Sequence, residues 1–296
     1  MCSEVTCNCE KIMMQKSLKW NRAHRLSLKE VIVSDKPEVL VRELNDNYVL
    51  ITGGTSGIGF ASAREFAKQG APKVAINGRH QGRGEAALKK LRDEFPDKTF
   101  SLHLADVTDV SSVKKMVSSV EDEFGRIDTL VSAAGGNFPP VLFHKLPTEE
   151  IQEVFDGFAL GAMFCASAVL PGMSKQNGGS IISVGSDAGK VPTPGETVIG
   201  AAMAAISMFT RGLSMEAKRN GVRVNCISPS LVRDTRTWDL VFEAEFSKKL
   251  FAKAEVMANL GITDPEDQAE LVVYIASPAG ARMTGQSISV NGGISA

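Results

Sequence analysis

The sequence predicts a single doubly wound α/β domain: a parallel sheet with helices on both faces. Three observations carry that expectation. Short apolar runs of strand length alternate with amphipathic helical segments from Tyr48 onward, the pattern of a parallel sheet buried on both sides. The first apolar run enters a glycine-rich turn and then a helix, the order of a βα unit. No linker or repeat interrupts the alternation, and 296 residues are enough for one large domain.

The elements follow in order. YVLIT (48–52) is a buried strand, and after GGTSGIG comes the helix FASAREFAKQG. PKVAING (72–78) is the second strand and GRGEAALKKLRDEF the next helix. SLHLAD, the third strand, precedes VSSVKKMVSSVEDEFG. IDTLVSAAG is a strand ending in a loop of small residues, and a long helix spans roughly Thr148 to Met173. GSIISVGS (179–186) is a strand, and the apolar helix behind it has no acid, base or phenol from Val198 to Phe209. VRVNCISPS, a helical region over about 235–260, the helix PEDQAELVVYIAS and a last strand SISVNGG complete the pattern.

Residues 1–46 differ. They are polar and basic, with Lys11, Lys16, Lys19, Arg22, Arg25 and Lys29, and read as an arm outside a main domain of 47–296. Of five cysteines, Cys2, Cys7 and Cys9 crowd this arm. Three thiolates without a nearby histidine fall short of a structural zinc site, so no metal is expected. Lys+Arg 33 against Asp+Glu 34 leaves a net charge of -1, too little basic excess for a nucleic-acid partner. No apolar run of span length and no signal-peptide segment is evident, so a cytoplasmic protein off the membrane is expected.

Between the first strand and its helix stands Thr52-Gly-Gly-Thr-Ser-Gly-Ile-Gly59. Glycines there let the backbone approach a pyrophosphate, and the helix start offers free N–H groups. The expected contacts are Gly53, Ser56, Gly57, Ile58 and Gly59. The second strand ends Asn77-Gly78-Arg79 without the acid that holds a ribose 2′-hydroxyl. Arg79 suits a 2′-phosphate instead, so the pocket's own chemistry leans to NADP. Asp106 and Val107 are expected at the adenine, and Ala134 and Gly135 along the adenosine side.

These residues resemble the short-chain dehydrogenase/reductase family. Its T-G-x-x-x-G-x-G loop is matched at Thr52–Gly59 and its D-V at Asp106–Val107, while its N-A-G is altered to Ala133-Ala134-Gly135. The resemblance implies a Rossmann-type sheet of seven strands, usually in a dimer or tetramer. It also implies catalysis by a Ser, a Tyr thirteen residues on, a Lys four further, and an Asn on the long helix. The Lys lowers the Tyr pKa for proton transfer. Here the Ser falls on Ser186, but the Tyr falls on Ile199, the Lys on Met203 and the Asn on Phe158. P-G-x-V-x-T reads Pro229-Ser230-Leu231-Val232-Arg233-Asp234, and the late D-G-G reads Asn291-Gly292-Gly293.

Ile, Met and Phe move no proton, so no catalytic residue is expected and Ser186 reads as a vestige capping a turn. Glu196, Asp187, Lys190 and His144 are the nearby polar candidates, each read as a solvated loop residue. The loop SDAGKVPTPGETV resembles members acting on cyclic acyl-CoA thioesters. The resemblance thus implies a degenerate subunit paired with an active homologue, with NAD bound by the partner in a heterotetramer acting on an acyl-CoA. Two other readings stay open: an enzyme with non-standard residues, and an NADP(H)-sensing protein.

Overall fold

The computed structural model describes residues 39–243 and 245–295; the cysteine-bearing arm up to residue 38 lies outside them. Seven parallel strands form one sheet: β1 (Tyr48–Thr52), β2 (Lys73–Gly78), β3 (Thr99–Leu104), β4 (Thr129–Ser132), β5 (Gly179–Val184), β6 (Val222–Ile227) and β7 (Ser287–Ile288). Their order is β3-β2-β1-β4-β5-β6-β7. The order reverses between β1 and β4, and the crevice at the carboxyl ends there is where such sheets take ligands.

Alternation along the strands divides the core. Leu50, Ala75, Leu130, Ile181 and Val224 face α3 (Val110–Phe124), α5 (Gly161–Lys175) and α6 (Thr197–Ala217). Val49, Ile51, Val74, Ile76, Val131 and Ile182 face α1 (Gly57–Lys68), α2 (Gln81–Glu94) and α9 (Pro265–Ala276). Both faces are dry, so successive side chains of one strand are apolar.

Four expectations need correcting. The long helix is not one regular rod: α4 (Glu150–Phe155) passes into a π-helical turn, Asp156–Leu160, before α5. The last strand is short, pairing only Ser287 and Ile288 with β6. The domain begins earlier than residue 47, for the compact unit starts at Val39. Leu40 N donates to Asn177 O at 3.0 Å, and Arg42 pairs at 2.7 Å with Asp128, itself 3% exposed. Finally, two helical stretches, Glu150–Lys175 and Thr197–Asn220, are long and apolar enough to cross a membrane by length and composition. In this fold both pack against the sheet, with 39% and 33% of their most apolar windows buried.

Helices α7 (Arg236–Glu243) and α8 (Glu245–Met257) fill the variable region. They build a small core of their own from Leu231, Val241 and Phe251, joined by Trp238, Phe242 and Ile294.

Candidate active site

The glycine loop turns at the end of β1. Gly53 sits at φ 66°, and a Cβ there would meet Ala133 O at 2.6 Å. A Cβ on Gly59 would meet Gly53 O at 2.4 Å. Both glycines are therefore demanded by the chain's own packing. Gly57 is different: at φ 51° its Cβ would meet nothing nearer than the Thr235 methyl at 3.4 Å. Ser56 caps α1 in extended conformation without a side-chain capping bond, which leaves the first-turn N–H groups of Gly57, Ile58 and Gly59 for an anion. The Ile58 side chain packs into the core beneath.

Arg79 is 56% exposed and lies 3.7 Å from the Asp106 carboxylate. Asp106 also accepts from Thr108 N at 2.9 Å and Thr108 Oγ1 at 2.8 Å. These bonds and Arg79 hold its carboxyl below the usual range although burial opposes them. Asn77 is not available to a ligand: its amide donates to His103 O and Ala105 O. The Val107 side chain is buried in the core, where a Cβ on Gly161 would touch it at 2.8 Å. Ala134 N donates to Thr52 Oγ1 at 3.3 Å, tying the fourth-strand loop to the first strand.

The other end of the crevice is apolar. Ser186 Oγ accepts from Ala188 N at 3.2 Å, closing a short turn. Met203 is buried with Val154, Val198 and Ala202, and Ile199 and Phe158 pack against that same cluster. Phe158 meets Phe138 edge-on with ring centroids 5.7 Å apart. Its ring edge lies over Gly135, where an added Cβ would stand 3.1 Å from Cε1. The three residues in the Tyr, Lys and Asn positions thus form one dry contact set. Phe158 is carried on the π turn Asp156–Leu160, and such turns gather at functional sites.

The polar candidates separate. Asp187 is not solvated; it is 4% exposed, and it accepts from Ser289 Oγ at 2.7 Å, Ser295 Oγ at 2.7 Å and the Asn291 amide. Lys190 is exposed yet engaged, donating to Ser287 O at 3.0 Å and Ser289 Oγ at 2.8 Å. Both are committed to the C-terminal segment. His144 is exposed in the loop after β4. Glu196 is half-buried just before α6, and burial pushes its carboxyl up to about 7 against a hydrogen bond from Thr193. Cys226 lies in the same apolar cluster as Met203, and burial pushes its thiol up to about 11, leaving no thiolate at neutral pH.

Asp234 is exposed at φ 55°, a left-handed position. The neighbouring Thr235 stands one residue beyond the position the motif marks. It leans on Gly57, donates to Val232 O at 2.8 Å and accepts from Trp238 N at 3.2 Å. A shift of one residue in the P-G-x-V-x-T register was the signal for it.

A doubly wound sheet with a glycine turn at its switch point is the architecture of the nucleotide-binding α/β proteins. The short chain dehydrogenase family model matches residues 47–245, and the chain belongs to that family. It is 34% identical over 229 residues to the NADP-dependent 3-hydroxy acid dehydrogenase YdfG of Escherichia coli (strain K12), covering 77% of this chain and 88% of the relative. It is 34% identical over 246 residues to the 3-oxoacyl-[acyl-carrier-protein] reductase FabG of Chlamydia muridarum, covering 83% and 96%. Among solved structures, levodione reductase superposes with a TM-score of 0.80 at 24% identity, covering 85% of this chain and 98% of the other. That likeness concerns the fold.

Proposed function

We propose that this chain is the non-catalytic subunit of a hetero-oligomeric, NAD-dependent hydroxyacyl-CoA dehydrogenase. The carrying observation is the single apolar cluster that holds Met203, Ile199 and Phe158 where the family keeps its proton-transfer groups. A buried methionine and an isoleucine side chain donate and accept nothing, so hydride transfer here would lack its matching proton step. A homologous active chain supplies both the chemistry and the bound NAD. The substrate is an acyl-CoA, and on the resemblance of the 186–198 loop it is 2-(hydroxy(phenyl)methyl)succinyl-CoA in benzylsuccinate β-oxidation during toluene degradation. The complex is a cytoplasmic heterotetramer.

The partner surface is the outer face of α5 and α6. No charged residue falls between Gly161 and Ser174 or between Thr197 and Thr210. Met208 is 66% exposed on α6, beside exposed Ala201 and Ala204. Small, uncharged helix faces permit close helix–helix approach.

This chain's own pocket fits a dinucleotide at one end only. Gly53, Ser56, Gly57, Ile58 and Gly59 could hold a pyrophosphate and Arg79 a ribose phosphate, which favours NADP there over NAD. No step is assigned to it.

Calorimetric titration of NAD, NADH, NADP and NADPH into the purified chain and into the native complex tests the proposal. NAD binding to the complex and none to the chain alone is expected. Tight NAD binding to the chain alone overturns it. One observation favours a second reading, an enzyme with altered chemistry. Glu196 is a half-buried acid with a pKa of about 7, suited to proton transfer at neutral pH. Any activity of the isolated chain that Glu196→Gln abolishes would establish that reading.

A further inference from the structure

The C-terminal segment from Ser287 to Ser295 touches two separate regions. Toward the turn after β5 it gives Ser289, Asn291 and Ser295, all of which donate to the Asp187 carboxylate. Lys190, from the same turn, donates to Ser287 O and Ser289 Oγ. Asp187 is in turn fixed by its own N–H, which donates to Pro229 O at 2.8 Å. Toward the α7–α8 region the segment gives Ile294, which joins the small core of Leu231, Val241 and Phe251. Leu260 N donates to Gly292 O at 3.0 Å. The backbones meet so closely that a Cβ on Gly292 would stand 1.9 Å from Gly261 O, and Gly292 adopts φ 65°.

Asp187 is the centre of this arrangement. A carboxylate 4% exposed is tolerated only with its lone pairs occupied, and three donors supply that. The family's D-G-G begins here with Asn291. An aspartate at that position would set a second carboxylate against Asp187, and like charges in one site repel. Asn291 supplies an amide donor instead, so the two residues fit each other as a pair.

From this we infer that the C-terminal segment is a strap, buckled at Asp187, that fastens the α7–α8 helices against the loop after the Ser186 turn, where a Cβ on Gly195 would stand 2.9 Å from Phe246 Cε1. The strap thereby ties the position of α7–α8 to the Ser186 turn, whatever chemistry the crevice retains. The inference is independent of the non-catalytic reading.

Hydrogen exchange read by mass spectrometry on the full chain tests it. Asp187→Ala and, more gently, Ser295→Ala remove buckle contacts, and Asn291→Asp adds the repulsion. Each should raise exchange over 236–257 by about tenfold or more while β1 and β4 amides keep their protection. The transposed pair Asp187→Asn with Asn291→Asp reverses the same bond and should return 236–257 to near wild-type exchange. Arg126→Ala, at the opposite end of the sheet, controls for general destabilisation and should not single out 236–257. The strap is overturned if 236–257 exchanges as in the wild type in all three single variants, if β1, β4 and 236–257 rise together, or if the transposed pair exchanges as fast as Asn291→Asp alone.

Discussion

At the β1–β3 side of the crevice the chain keeps the family's glycines, a free helix start and an exposed cation in Arg79. At the β4–β6 side apolar side chains, Ile199, Met203 and Phe158, stand at every expected proton-transfer position but the serine. The contrast teaches that persistence of a motif has two causes. Gly53 and Gly59 are each pressed against backbone, so the fold retains them with or without a ligand. Tyr, Lys and Asn side chains serve chemistry, and on the proposed non-catalytic reading packing alone decides what stands at Ile199, Met203 and Phe158. Gly57 is the informative glycine, because only its backbone angle, and no neighbour, excludes a side chain.

Substitutions can break or sharpen this comparison. Gly59→Ala forces a Cβ to 2.4 Å from Gly53 O and should cost about 3 kcal/mol or more in urea denaturation without cofactor. A cost near zero would mean that the glycine serves a ligand and not the fold. Met203→Lys restores the family's cation inside a dry cluster and should cost about 2–3 kcal/mol at neutral pH. That loss should shrink as the pH rises towards 10 and the ammonium deprotonates.

Glu196→Gln carries a pH signature. The folded carboxyl is raised from 4.5 to about 7, so its favourable contribution is complete below the lower value and is lost as pH rises through the upper one. The variant should therefore gain stability relative to wild type between pH 5 and pH 8, by at most about 3 kcal/mol at roughly 1.4 kcal/mol per unit. Paired denaturation curves at those pH values measure it, and an unchanged difference would show Glu196 to be solvated. The smallest effect is Gly57→Ala, about 1 kcal/mol from the left-handed angle alone.

The strands and helices were legible because both core faces impose simple periods. The π turn at Asp156–Leu160 was not, since one extra residue in a turn leaves the apolar pattern nearly unchanged. The loss of Tyr, Lys and Asn could be counted directly along the chain. The environment of Asp187 could not. Its partners Ser289, Asn291 and Ser295 stand 102, 104 and 108 residues away, and an isolated acid in a glycine-rich turn looks solvated. The length of the apolar helices is hidden in the sequence, because their charge-free stretches are broken by small residues. Thr235 is hidden because Asp234 fills the expected position.

The most direct test is hydride transfer by the isolated chain. The purified protein would be mixed with a hydroxyacyl-CoA thioester and either NAD or NADP, and nicotinamide absorbance followed before and after adding the active homologous subunit. The account predicts no reduction by the chain alone and turnover once the partner is present. Steady turnover by the chain alone would contradict it.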